Sequence, residues 1–240
     1  MMGMPITVEI IDVPDKSLGH DVFDWFSQVD WRFSPYIQSS EVCRFSKCEI
    51  DINAVSEEMR EVLALAETTR IESQGAFNIV RPSGVIDPSG IVKGWAISKA
   101  AKMILSRGAS SFYVEAGGDI QTNGMTEEND AWTVGIRSPF NDKEIIKVMA
   151  LSGQGIATSG AYVRGDHIYD PRQPSRKLDQ IVSVTVVADD VVDADRFATA
   201  GYAMGEDGVY FLESVVGVEA YVVDALGIAT QTSGFERFVR

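Results

Sequence analysis

The chain has 240 residues, enough for one large domain, and its 45% hydrophobic and 23% charged content is that of a folded globular protein. A formal charge of -14 argues against nucleic acid as a partner, and it means that an anionic ligand must be met by a helix N-terminus, a few placed cations or a divalent metal. Cys43 and Cys48 have no second pair for a tetrahedral metal site and read as free thiols; with no leader-like start and no run of membrane-spanning length, a soluble, cytoplasmic protein is expected.

Residues 5–13 alternate like a strand, and 17–33 read as a helix with Phe23, Phe26, Val29 and Trp31 towards one side. The polar stretch SPYIQSSEVCRFS follows as a loop. An amphipathic helix is predicted over 55–73, with Val55, Met59, Val62, Leu63 and Ala66 as its apolar stripe. After the loop GAFNIVRPSGVIDPSG, a second helix runs from Ile91 to Leu105, stopped by Gly108. The remainder is mostly β: SFYVEA, AWTVGIR, KVMALSG and IVSVTVVAD are strand candidates. A helix from about Asp193 to Met204, a short one near 207–215 and strands at 218–224 and 227–231 close the chain. With no repeat and no linker, this order predicts a single α+β domain, helix-rich over 1–108 and β-rich over 109–240, the two halves sharing one cleft.

Four stretches carry candidate chemistry. In VDADRFATAGY, Asp195 and Thr199 stand four residues apart on one helix face, where a carboxylate and a hydroxyl offer two hard oxygen ligands suited to Mg²⁺. The same spacing fits a helix capped by Asp193 or Asp195, with Thr199 bonding a backbone carbonyl, and that is the commoner pattern. In AGGDIQTNG, paired glycines allow close approach of a ligand, and Asp119 can accept from it or from its own turn. DPSGIVKGWA is a glycine-bearing loop entering a helix; its free amides and Lys93 can receive phosphate oxygens, or Asp87 or Ser89 can simply cap the helix. In SGAYVRGDHIYDP, His167 stands among Asp166, Tyr169 and Asp170, an environment that suits proton transfer as well as an ordinary surface hydrogen bond.

Taken in chain order, Met2-Gly3, SPYIQSSEVCRFS, GAFN, DPSGIVKGWA, GGD, ATSG, HIYDP and ADRFATA make a sequence that resembles the ApbE family, the FAD:protein FMN transferases, over nearly its whole length. The resemblance implies a T-fold-like α+β architecture of antiparallel sheets flanked by helices. It implies an enzyme that moves the FMN half of FAD, with Mg²⁺, onto a threonine or serine of an acceptor protein bearing a Ser/Thr-Gly-Ala-Ser/Thr-like segment, releasing AMP. Carried over position by position, Asp195, Thr199 and the carbonyl of Gly90 would be metal ligands. Met2, Tyr36, Ala76, Phe77, Asn78, Asp87, Lys93 and Tyr169 would line FAD, with Ser159 and Asp119 bordering the same cleft. His167 would serve as the base that deprotonates the acceptor hydroxyl, with Asp119 the second choice. Water in place of that hydroxyl would make an FAD pyrophosphatase, and loss of turnover a flavin-binding protein. Asn78 stands where the family usually has Asp, Ser89 and Val92 stand where it usually has Gly and Ala, and the segment from Asn78 to Asp87 is shorter than usual.

Overall fold

The computed structural model describes residues 3–12, 15, 17–160 and 168–240. Its centre is a seven-stranded sheet in the order β1-β2-β3-β6-β7-β8-β9, antiparallel at every pairing. The strands are β1 (Ile6–Ile10), β2 (Phe112–Ala116), β3 (Asp119–Asn123), β6 (Gly155–Gly160), β7 (Ile181–Ala188), β8 (Val218–Asp224) and β9 (Ala229–Gln231). A separate two-stranded ribbon is formed by β4 (Trp132–Arg137) and β5 (Ile145–Leu151). The helices are α1 (Leu18–Phe33), α2 (Glu41–Ser46), α3 (Glu57–Glu72), α4 (Ser89–Ser106), α5 (Val191–Met204) and α6 (Gly208–Ser214). The expected α+β architecture of antiparallel sheets flanked by helices is what the chain adopts.

Alternation along the central strands assigns the layers. Val184, Val186, Ala220 and Val222 pack under α5 and α6, whereas Val187, Tyr221 and Val223 face the ribbon residues Met149 and Leu151 together with Phe235. Around β7 and β8 the central sheet is therefore buried on both sides, by helices on one and by the ribbon and the C-terminal turn on the other. In the first half of the chain, α1, α3 and α4 close over β1 and β2 around Phe26, Met59, Ile97 and Phe112. Side-chain caps fix α2 and α3: the Ser40 hydroxyl accepts from the Cys43 amide and that of Ser56 from the Met59 amide.

The structure revises several sequence expectations. On α1 the buried stripe is Leu18, Val22, Phe26, Val29 and Phe33; Trp31 lies off it and is 59% exposed. The loop after α1 contains the one-and-a-half-turn helix α2. GGD and ATSG, read as motifs only, open β3 and close β6. The helix expected from Asp193 starts at Val191, and its N-cap is Asp190, whose carboxylate accepts from the Val192 amide; Asp193 instead pairs with Arg196. Gly108 does stand just past α4, with a φ of +89°. Cys43 and Cys48 are free thiols, and no helix among the described residues is long and apolar enough to cross a membrane.

Candidate active site

The site is built where the central sheet splays. The ladder between β3 and β6 covers only Ile120↔Ile156 and Gln121↔Gly155. Beyond it the start of β3 and the end of β6 part, and the helices α4 and α5 meet over the gap. Gly117 and Gly118 make the two-residue turn from β2 into β3, with φ of +59° and +95°, which places Asp119 at the rim of the gap.

The crossing of α4 and α5 depends on Gly94. A Cβ there would stand 2.6 Å from the Asp195 Cβ and 2.9 Å from the Val191 carbonyl oxygen. Without a side chain, the Gly94 amide donates to Oδ2 of Asp195 at 2.8 Å. One turn earlier, the Gly90 carbonyl accepts from the Thr199 hydroxyl at 3.3 Å, and the Ser159 hydroxyl lies 3.3 Å from that of Thr199. Lys93 sits between two acids, its Nζ 2.6 Å from Asp119 Oδ2 and 3.8 Å from Asp195 Oδ1. The other Asp119 oxygen accepts from the Thr158 amide at 3.1 Å. Lys93 is thus bound to buried partners and not solvated, and Asp119 bonds across the fold and not within its own turn.

These groups line one cavity of about 970 Å³. Ala76, Phe77, Asn78 and Asp87 form part of its wall, Gly90, Lys93, Asp195 and Thr199 its helical end, and Asp119, Ser159 and Tyr169 the strand side. The sequence motifs therefore converge on one place, with three exceptions. Tyr36 is 89% exposed in the turn that ends α1 and does not line the cavity. Met2 and His167 lie outside the described residues.

The electrostatics follow from burial. Loss of solvent raises the Asp195 carboxyl to about 7; Lys93 draws it back down, while neighbouring Asp119 adds to the rise. Asp87 is the opposite case. Burial works to raise it, but hydrogen bonds from Arg81 and Ser89 outweigh burial and hold it below the usual carboxylate range. Arg81 is a residue that sequence reasoning missed: its guanidinium grips Asp87 through Nε at 2.9 Å and through Nη2, and it lines the cavity. The only available signal was a cation inside the short Asn78–Asp87 segment. Neither Asp87 nor Ser89 caps α4, whose N-cap is Pro88; Asp87 accepts from the Ser89 amide one residue beyond.

The donor set suits a hard cation. The Asp195 carboxylate, Thr199 hydroxyl and Gly90 carbonyl present oxygen atoms at one end of the cavity, and Mg²⁺ is commonly held by one or two carboxylates with the rest of its shell from water and phosphate. A buried carboxyl as hard to ionise as Asp195 is also one that a bound cation would return to its charged form. Among the described residues no cluster of three or more acidic, His or Cys side chains offers a protein-only cage.

The sequence profile of the ApbE family matches residues 2–84 and 80–222. The chain belongs to the ApbE family. A Vibrio cholerae relative named FAD:protein FMN transferase is 31% identical over 166 residues, which are 65% of this chain and 48% of the relative. An Escherichia coli relative of the same name is 29% identical over 161 residues, 63% of this chain and 46% of the relative. The chain thus aligns with about half the length of these curated ApbE relatives. Among solved structures, the flavin transferase ApbE from Vibrio cholerae superposes with a TM-score of 0.85 at 23% identity, covering 98% of this chain and 96% of that one. An ApbE protein from Thermotoga maritima gives 0.87 at 22% identity, covering 100% and 97%. The fold is that of these ApbE structures.

Proposed function

We propose that this protein transfers the FMN moiety of FAD to a serine or threonine hydroxyl of an acceptor protein and releases AMP, with Mg²⁺ as its metal. The observation that carries this reading is the convergence of Asp195, Thr199, the Gly90 carbonyl, Lys93 and Asp119 at one end of a cavity large enough for a dinucleotide. It agrees with the name that the Vibrio and Escherichia relatives carry.

In the reaction, the acceptor oxygen forms a bond to the phosphorus on the flavin side of the diphosphate. The bond from that phosphorus to the bridging oxygen breaks, and AMP leaves with the oxygen. Phosphoryl-type transfer asks a protein chiefly for positioning and charge neutralisation. Lys93 supplies a positive charge, and its ion pair with Asp119 fixes where that charge sits. Asp195, Thr199 and the Gly90 carbonyl would hold Mg²⁺, which when bound neutralises the diphosphate and polarises phosphorus. Phe77, Ala76, Asp87 and Ser159 would shape the FAD wall. Asn78 uses its side-chain oxygen to accept from the Val80 amide, which leaves its NH₂ for the ligand. The Tyr169 hydroxyl is buried with no hydrogen-bond partner among the described residues, so it too is available to FAD. His167 is the residue we assign to receive the hydroxyl proton, on its place in HIYDP.

The test is incubation with FAD, Mg²⁺ and an acceptor domain carrying a Ser/Thr-Gly-Ala-Ser/Thr segment. Acceptor mass should rise by the FMN increment, with AMP released in equal amount. Free FMN with an unmodified acceptor would replace this reading with FAD hydrolysis. Intact FAD after long incubation would leave only a flavin-binding protein.

A further inference from the structure

We propose that the acceptor polypeptide docks as an added β-strand on the free edge of β4, inside the same cavity; this rests on the transferase reading above. Among the described residues β4 pairs only with β5, so one edge of the ribbon is open. The direction of its backbone groups can be worked out. The Arg240 amide donates to the Val148 carbonyl at 2.9 Å, and Met149 bridges Val239, so Val148 and Ala150 turn their backbone groups away from β4. Their cross-strand partners are Gly135 and Thr133. In an antiparallel ladder these are non-hydrogen-bonded pairs, so the N–H and C=O groups of Thr133 and Gly135 point out from the open edge.

That edge faces the cavity. The wall includes every residue from Trp132 to Ser138, whereas β5 contributes only Ile145. An unbroken run of a strand lines a space when its edge, and not one face, borders it. Ile120 and Ile156 of the central sheet also line the cavity and belong to the same apolar cluster as Val134 and Ile136, and Lys93, Asp119 and Asp195 stand in the same cavity. Trp132 holds the ribbon in place: its indole donates to the Asn123 carbonyl at 3.1 Å and packs edge-on against Tyr113.

The occupant is a polypeptide. The outward groups repeat every second residue, roughly 7 Å apart, which is the period of an extended chain and not of a flavin, adenine or ribose. The sequence WTVGIR carries no proline and no charge before its last residue, Arg137, where the ladder shifts register, so the edge is not blunted from Trp132 to Ile136. A strand added there would bring its side chains, a hydroxyl among them, into the cavity that holds the proposed metal ligands. Main-chain pairing also tolerates variation in the acceptor sequence outside the modified segment.

The test uses synthetic peptides carrying Ser-Gly-Ala-Thr with flanking residues, each with one backbone N-methyl group, incubated with the protein, FAD and Mg²⁺ and read by mass. Edge pairing predicts alternation: KM rises about tenfold for methylation at every second position, the worth of one lost hydrogen bond, and about twofold or less between them. On the protein side, Thr133→Pro removes one outward N–H without removing a β4–β5 hydrogen bond, and it should raise the acceptor KM about tenfold with a smaller change in kcat. Flavinylation without alternation overturns the docking mode and leaves the transferase reading standing. No flavin on either the unmodified peptide or an acceptor domain overturns both. A stable dimer of the protein alone that Thr133→Pro dissociates also overturns the proposal, because a second copy would then occupy the edge.

Discussion

The amide of Gly94 donates to the carboxylate of Asp195 across 101 residues of sequence, at 2.8 Å. This one bond couples the packing of α4 on α5 to the placement of the proposed metal ligand. Gly94→Ala would push a methyl group to 2.6 Å from the Asp195 Cβ, and helix backbone stands on both sides of the contact. Overpacking of this kind costs about 1–3 kcal/mol. Urea unfolding should show that loss as a lower midpoint at unchanged slope, with weaker Mg²⁺ binding. A variant of unaltered stability would show that the helices separate freely and that the close crossing is not required.

Asp195→Ala removes the only carboxylate among the three proposed ligands, whereas Asp195→Asn keeps an oxygen at the same place without the charge. AMP release from FAD should fall by about 10²–10³ or more in the alanine variant, the scale of losing one charge-stabilising group at a reacting phosphate. The asparagine variant should recover part of it at raised Mg²⁺. Equal rates in wild type and alanine variant would remove Asp195 from the chemistry.

Metal binding can be read without turnover. A cation that binds only the folded chain stabilises it by about 2.7 kcal/mol at a hundredfold excess over Kd. For a chain of this size that is a rise in Tm of about 5–10 °C. Adding Mg²⁺ to the protein stripped with EDTA should give such a shift. Thr199→Val, which replaces the proposed ligand hydroxyl by a methyl of the same shape, should reduce it. Ca²⁺ stabilisation of similar size with no AMP release would show a site that holds hard cations without selecting Mg²⁺.

The site was legible in the sequence to the extent that its groups lie in short local patterns. Asp195 and Thr199 share a face by helical spacing, and Lys93 and Gly94 stand three and four residues after Gly90 on α4, within DPSGIVKGWA. What escaped depends on contacts between distant segments. VVADDVVDAD offers four aspartates near one helix start, and only the extended backbone of Asp190, at φ −121° and ψ 132°, makes it the cap. The strands at Asp119–Asn123 (DIQTN) and Gly155–Gly160 (GIATSG) are short, the first mostly polar and the second mostly small residues, so no hydrophobic alternation marks them; their neighbours in the sheet define them. The open edge of β4 is invisible in WTVGIR, because its direction is set by where Arg240 meets Val148. Trp31 lies off the buried stripe for a simpler reason: helical spacing from Leu18, Val22, Phe26 and Val29 turns that position to solvent, whatever its aromatic character.

The pairing of Asp87 with Arg81 predicts a pH effect on stability with a definite sign. The folded carboxyl titrates below the usual aspartate value of 3.8, so at acid pH the unfolded chain binds the extra proton. Its stabilisation is therefore fully present above that value and is lost as pH falls through the lower folded pKa. Arg81 stands partly in solvent, with a side chain 40% exposed, which limits the effect to about 1 kcal/mol. Asp87→Asn should thus unfold at lower urea than wild type at pH 7, and the two curves should draw together as the pH is lowered below about 4. Arg81→Met should show the same convergence, because it removes the partner that holds the carboxyl low. A gap between wild type and Asp87→Asn that widens on acidification would mean that burial, and not the guanidinium, dominates at Asp87.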